Sequence, residues 1–315
     1  MKKRKKGNIR LQNTIFIICL IFVGVILFIY KSDLKELLFK DKDVNNVNDN
    51  KNNNINNNNK DENDNEDKDI YKDYKKALGF KLENLNRYIA YKENHPDLDY
   101  DTIVSYVNIG LDYNFYSYIN DADISLDEKI LVNKYLKLPG EYEPSDLEEI
   151  DSKYFINGNL YVRNLREDAK EAFEEMSQAS IDNGTPVYGQ SGYRHYGMQE
   201  SLYNSAVESM GVDAADNDTA RPGHSEHQTG LAIDVSSTKG GNMLSFEYSD
   251  SYSWMKENAY KYGFILRYTK KQEYIHGYIN EPWHYRYVGI DIATDIHNNY
   301  PDLTYEEYFY KFIDK

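Results

Sequence analysis

Between Asp41 and Asp69 the chain is almost nothing but Asn, Asp, Lys and Glu, with runs such as Asn52-Asn53-Asn54 and Asn56 to Asn59. A stretch of this kind has too little apolar area to offset the entropy of ordering it, so it reads as a disordered spacer. Its interleaved charges argue against the aggregation that Asn-rich tracts otherwise invite. Any compact fold must therefore be built from the residues beyond it. With 315 residues in all, the chain has room there for one good-sized domain or two small ones.

Ahead of the spacer, Lys2, Lys3, Arg4, Lys5, Lys6 and Arg10 precede an uncharged run from Leu11 to Tyr30, which Lys31 closes. As a helix rising about 1.5 Å per residue, this run comes close to the roughly 30 Å of a hydrocarbon core. No small-residue cleavage site follows it. The expectation is an uncleaved, single-pass signal-anchor over residues 1–31, with the basic end cytoplasmic, and a linker over 32–69 leading outside the cell. Cys19 is the single cysteine and sits inside the run behind Ile17 and Ile18, which excludes both a disulfide framework and a lipoprotein site.

The net charge of -15 conceals an asymmetry, since the first 31 residues hold seven Lys and Arg and no acid. What remains carries 30 basic against 52 acidic residues, a net -22. Such a surface repels polyanions, so no nucleic-acid partner is expected.

From Ile70 onward the pattern turns globular. Tyr71, Tyr74 and Leu78, then Leu85, Tyr88 and Ile89, recur at helical spacing up to Pro96. Pro139-Gly140 and Pro144 break the segments that follow, and residues 70–150 read as an N-terminal extension packing on a catalytic part at 151–315. In that part, helices are expected from Leu165 to Ser180, Gln199 to Met210 and Trp254 to Tyr262. Strands are expected after Val187 and over Leu231 to Val235 and Tyr285 to Val288. The absence of a regular βαβ rhythm favours the α+β class, an antiparallel sheet with flanking helices.

Two short stretches carry chemistry. In the first, Ser225-Glu226-His227-Gln228-Thr229-Gly230-Leu231-Ala232-Ile233-Asp234, a histidine and a carboxylate flank a glycine turn. The second is Glu281-Pro282-Trp283-His284. Two neutral imidazoles and a carboxylate form a three-ligand zinc set that leaves one position open, the pattern of a catalytic site, so the chain reads as a metal-dependent hydrolase. If residues 231–235 form a strand, Ala232 and Asp234 share a face while Leu231 and Ile233 point away. Glu281 can take a proton from an attacking water and pass it to a leaving amine, and Arg194 can stabilise an oxyanion or clamp a terminal carboxylate.

Spacing alone leaves competitors. His224, three residues before His227, has the same chemistry, and His195 and His276 are further candidates. His95 and His297 lie in polar, loop-like contexts that read as surface. Trp283, Tyr285 and Tyr287 alternate with His284 and Arg286 and read as a core face, and Arg286 competes for Glu281 as a plain ion-pair partner.

Ser191-Gly192-Tyr193-Arg194, the run from Pro222 to Asp234, and the run from Glu281 to Gly289 together closely resemble the zinc D-alanyl-D-alanine carboxypeptidases of the VanY type. The likeness extends from about Arg87 through Leu131-Val132-Asn133-Lys134 to Tyr305-Glu306-Glu307-Tyr308. It implies a hedgehog-like α+β fold that removes the terminal D-alanine from peptidoglycan stem pentapeptides. By motif position it implies His227, Asp234 and His284 as Zn2+ ligands, Glu281 as general base and acid, and Arg194 on the oxyanion or substrate carboxylate. Gln190, Ser191 and Ser225 match positions that line the substrate site. One departure is Ile275-His276, where relatives often carry a threonine before the glycine, which alters the pocket locally. With the anchor, the resemblance implies a catalytic part on the wall-facing side of the cell membrane. Alternatives on the same fold are a D,D-dipeptidase, a peptidoglycan endopeptidase, or a non-catalytic wall-binding module, although the last would not need to keep all of His227, Asp234, Glu281 and His284.

Overall fold

Tyr74, Tyr88, Ile103, Val104 and Val107 close one small core between helices α1 (Leu85–Asn94) and α2 (Tyr100–Ile109). The Asp99 carboxylate caps α2 by accepting from the Thr102 amide, and Gly110 ends it in the left-handed region that glycine enters without strain. The structure, a computed structural model, describes residues 71–156 and 162–314. The expected anchor at 1–31 and linker at 32–69 lie outside the described residues. Among the described residues no helix is long and apolar enough to cross a membrane.

Two short pairings lead into the larger core. Strand β1 (Asn120–Asp121) runs parallel to β2 (Leu136–Lys137), and β3 (Leu147–Glu149) runs antiparallel to β4 (Asn164–Arg166). The helix expected from Leu165 begins instead at Glu167 and forms α3 (Glu167–Asp182), because Leu165 is held in β4 opposite Glu148. Ala169, Phe173 and Met176 on one face of α3 are fully buried.

The main sheet holds β5 (Tyr188–Ser191), β6 (Ala232–Ser236), β7 (Phe264–Tyr268) and β8 (Glu281–Tyr287) in the order β5-β6-β8-β7, antiparallel throughout. Helices α4 (Tyr196–Met210), α5 (Val212–Asp218), α6 (Asp250–Asn258), α7 (Ile290–Asn299) and α8 (Tyr305–Tyr308) flank or connect these strands. The architecture is the α+β arrangement expected. Strand β7 and helix α7 had no counterpart in the periodicity reading.

Alternation along the strands divides the sheet into two faces. Ile233 pairs with Tyr285, and both join Val235, Phe155, Phe173 and Phe246 in the main apolar core. Ala232 pairs with Arg286 and Asp234 with His284, so the other face collects polar groups. That face is buried as well. The turn at 226–229, the backbone at 128–130 and α8 cover it, with the Tyr305 hydroxyl donating to the Lys129 carbonyl at 2.9 Å.

Ile233, at 0% exposure, tests the apolar face. Ile233→Ala is expected to lower unfolding stability by about 2–5 kcal/mol in urea titrations. The same truncation at Leu82, 62% exposed, should stay within about 0.5 kcal/mol.

Candidate metal centre

The His227 imidazole hangs from the turn Glu226–Thr229, which Gly230 ends at φ +70°. A Cβ there would lie 2.8 Å from a Leu147 methyl and 3.0 Å from Arg166, so the turn needs glycine for space as well as for backbone angle. The chain then enters β6 and delivers Asp234 directly across from His284 on β8. His227 Nε2 lies 3.3 Å from Asp234 Oδ2, and His284 Nδ1 lies 3.1 Å from Asp234 Oδ1. One ligating atom from each of the three falls within 4.8 Å of the others, and all three side chains are buried.

Hydrogen bonds on the far side of each ring fix which nitrogen faces the cluster. His227 Nδ1 is 2.7 Å from the Gly192 carbonyl, which can only accept, so Nδ1 carries the hydrogen and Nε2 turns a lone pair inward. His284 Nε2 lies 3.1 Å from Glu226 Oε2, which leaves Nδ1 facing Asp234. Two ring lone pairs and a carboxylate pointed at one another repel unless a cation or a proton sits among them. The donor set therefore fits a metal of the zinc type.

The charge states follow the same logic. Burial holds His227 down to about 4 and neutral, aided by Arg194. Burial also opposes charge on His284, but the Asp234 and Glu226 carboxylates outweigh it and raise the ring to about 9. Asp234, despite its burial, stays ionised well below the usual range because the two histidines face it. In the metal-free protein a proton on His284 balances the site.

Around the cluster the sequence candidates separate. Glu281 Oε2 stands 3.8 Å from His284 Nδ1, and burial lifts its carboxyl to about 8 against the opposing pull of His284. Arg194 Nη1 donates to Asp234 Oδ2 at 3.4 Å and to Ser191 Oγ at 2.8 Å, while its Nε donates to Gln199 Oε1 at 3.2 Å. Ser225, Arg194, Glu281, Tyr268, Tyr278 and Trp283 are among the walls of a cleft of about 390 Å³ that reaches the cluster. Ser191 and Gln190 do not line that cleft. Ser191 reaches it through Arg194, and Gln190 falls at the register shift between Gly189 and Ser191, where alternation no longer tells which way a side chain points.

The competing histidines lie elsewhere. His224 Nδ1 is 2.8 Å from the Asn133 carbonyl, and its ring meets Tyr116 edge-on. His276 accepts from the Tyr278 amide, His195 caps α4, and His95 and His297 are exposed and stacked on Tyr91 and Tyr260. Arg286 does not pair with Glu281. Its Nη1 donates to Glu226 Oε1 at 3.1 Å, its Nε to the Tyr287 carbonyl, and its Nη2 to the carbonyls of Glu128 and Ile130.

Glu226 is the functional group that sequence reasoning passed over. It is 1% exposed and holds His284 with one oxygen while Arg267 and Arg286 grip the other. Its only signal was a carboxylate next to a candidate ligand, in a stretch whose other residues are mostly polar.

A turn histidine meeting an aspartate and a second histidine on the polar sheet face, beside a buried glutamate, defines an α+β protein with a metal-type centre. A family model described as VanY, D-alanyl-D-alanine carboxypeptidase, matches residues 162–290. A putative carboxypeptidase YodJ of Bacillus subtilis (strain 168) is 44% identical over 183 residues, covering 58% of this chain and 66% of the relative. A D-alanyl-D-alanine carboxypeptidase of Enterococcus faecalis (strain ATCC 700802 / V583) is 33% identical over 190 residues, covering 57% of this chain and 64% of the relative. The chain thus spans just under two thirds of these two curated relatives. The solved structure of the LdcB LD-carboxypeptidase aligns with a TM-score of 0.57 at 41% identity, over 61% of this chain and 90% of that one. The chain belongs to the VanY family of D-alanyl-D-alanine carboxypeptidases.

The proton on His284 has a measurable consequence. With His284 at about 9 and His227 at about 4, one proton must leave for a cation to bind anywhere between those values. Zinc affinity, measured by chelator competition at pH 6, 7 and 8, should rise about tenfold per pH unit. A flat profile would mean that the His284 ring is already neutral.

Proposed function

We propose that this protein is a zinc-dependent carboxypeptidase that removes the C-terminal D-alanine from peptidoglycan stem peptides ending in D-Ala-D-Ala. The observation that carries this reading is the convergence of His227, Asp234 and His284 within 4.8 Å, with Glu281 beside them at the cleft. Zinc, when bound, supplies a Lewis acid and lowers the pKa of a coordinated water. Every other part of the task falls to the chain.

Arg194 provides a guanidinium at the cleft wall, held by Gln199 and Ser191 so that its fork is set before a substrate arrives. A terminal carboxylate or a developing oxyanion is the group such a fork recognises. Glu281 is held in a dry environment that raises its affinity for a proton. A carboxylate so placed can accept a proton from the attacking water and return it to the departing amine. Ser225 adds a hydroxyl on the cleft wall. In this reading Lys31 marks the end of a membrane anchor, and the 32–69 stretch lets the catalytic part reach stem peptides on the wall-facing side.

The likeness to an LD-carboxypeptidase supports a second reading, in which the scissile bond joins an L residue to the terminal D residue. The two part company on product analysis. The full-length chain should release free D-alanine from a pentapeptide ending in D-Ala-D-Ala and stop at the tetrapeptide. Release only from a tetrapeptide would favour the second reading, and release from neither would end both.

Two further outcomes are expected. Chelation of the metal should abolish release, and added zinc should restore it. Glu281→Gln should reduce kcat by about 10²–10⁴-fold while leaving zinc affinity within a few-fold of the parent. Equal turnover in that variant would remove Glu281 from the chemistry.

A further inference from the structure

Behind His284 lies a second group of ions that the proposed reaction does not use. Arg267 on β7 and Arg286 on β8 converge with His284 on Glu226, and both guanidiniums are fully buried. Arg267 Nε donates to Glu226 Oε1 at 2.8 Å. Its two terminal nitrogens form a fork on Glu306, Nη1 to Oε2 at 2.9 Å and Nη2 to Oε1 at 2.7 Å. Glu226, Glu306 and both arginines are at most 2% exposed, and the two positive charges balance the two negative ones. Glu306 belongs to α8, beyond the stretch matched by the family model.

We infer that Glu306 is a positioning residue for the metal centre, acting through Arg267 and Glu226 on the orientation of His284. The inference rests on the metal reading of the site. Its physical basis is competition for one carboxylate. A guanidinium prefers to grip a carboxylate with two parallel bonds. While Glu306 occupies the fork of Arg267, only the side nitrogen is left for Glu226, which therefore keeps Oε2 for His284. Without Glu306 the fork is free to turn onto Glu226 and take both of its oxygens. His284 then loses the acceptor that fixes its ring and its tautomer. The helix that carries Glu306 is itself anchored, through the Thr304 and Glu307 capping box and through the Tyr305 hydroxyl on the Lys129 carbonyl.

The test is the zinc affinity of the full-length chain carrying Glu306→Gln, measured by chelator competition, with imidazole nitrogen NMR of the metal-free protein alongside. Loss of an outer partner of a metal histidine weakens binding about 10–100-fold, and a loss of that size is expected here. The His284 Nε2–H signal of the metal-free variant should lose its hydrogen-bonded character. Arg267→Lys keeps the charge but removes the fork, so on that background Glu306→Gln should cost little further zinc affinity, and a further loss of about 10–100-fold there would overturn the inference. Glu226→Gln combined with Glu306→Gln should bind zinc no more weakly than Glu226→Gln alone, because both act through one contact. Unchanged zinc affinity in Glu306→Gln, with only a lower unfolding midpoint, would make the network purely structural and overturn the inference. Additive losses in the double variant would also overturn it. A parent protein that binds zinc yet releases no D-alanine would sink the substrate assignment and leave this inference standing.

Discussion

The pairing of β6 with β8 places Asp234 directly across from His284, and the site depends on that one register. Because side chains alternate at every residue, a slip of β6 by one position would send Asp234 to the apolar face, away from His284, and bring Ile233 or Val235 to the polar one. Both faces are buried, so either set would find itself in the wrong surroundings. The main apolar core thus enforces the geometry of the metal centre without touching it.

Burying this many ions is costly unless each meets its opposite. Here charge is balanced in layers: the histidines against Asp234, Glu226 between two guanidiniums, and Glu306 on the outer side of Arg267. Buried ion pairs of this sort are weak evidence of stability, but each arrangement with a missing partner is much worse than the complete one. That asymmetry gives side chains at an active centre a single low-energy geometry. In the language of catalysis, the groups are oriented before the substrate is bound.

Much of this centre was legible in the chain because its ligands sit in short motifs. His227, Gly230 and Asp234 are bound by a local turn-to-strand geometry, and Glu281 and His284 belong to one strand, so residue spacing already carried the pattern. The outer layer was not legible, since Glu226, Arg267 and Glu306 come from three elements and nothing local ties them together. Strand β7 escaped notice because Arg267, buried and charged, interrupts what would otherwise read as an apolar run. Spacing left His227 and His224 both open and motif resemblance pointed to His227; the fold adds the physical reason, since the Asn133 carbonyl claims the His224 ring. Gln190 rests on motif position alone, and the register shift between Gly189 and Ser191 leaves its direction unreadable from strand alternation.

The backbone at 128–133, although far from the motifs in sequence, finishes the polar face. Arg286 spends two of its hydrogens on the carbonyls of Glu128 and Ile130, and Lys134 lies under Tyr278 with its ammonium 4.2 Å from the ring centre. A shortened protein cut to the motif-bearing part, starting near residue 151, would strip those acceptors from a guanidinium that has no access to water. The smallest portion worth expressing on its own therefore begins upstream of Glu128, and any truncation series should be drawn up with that boundary in view.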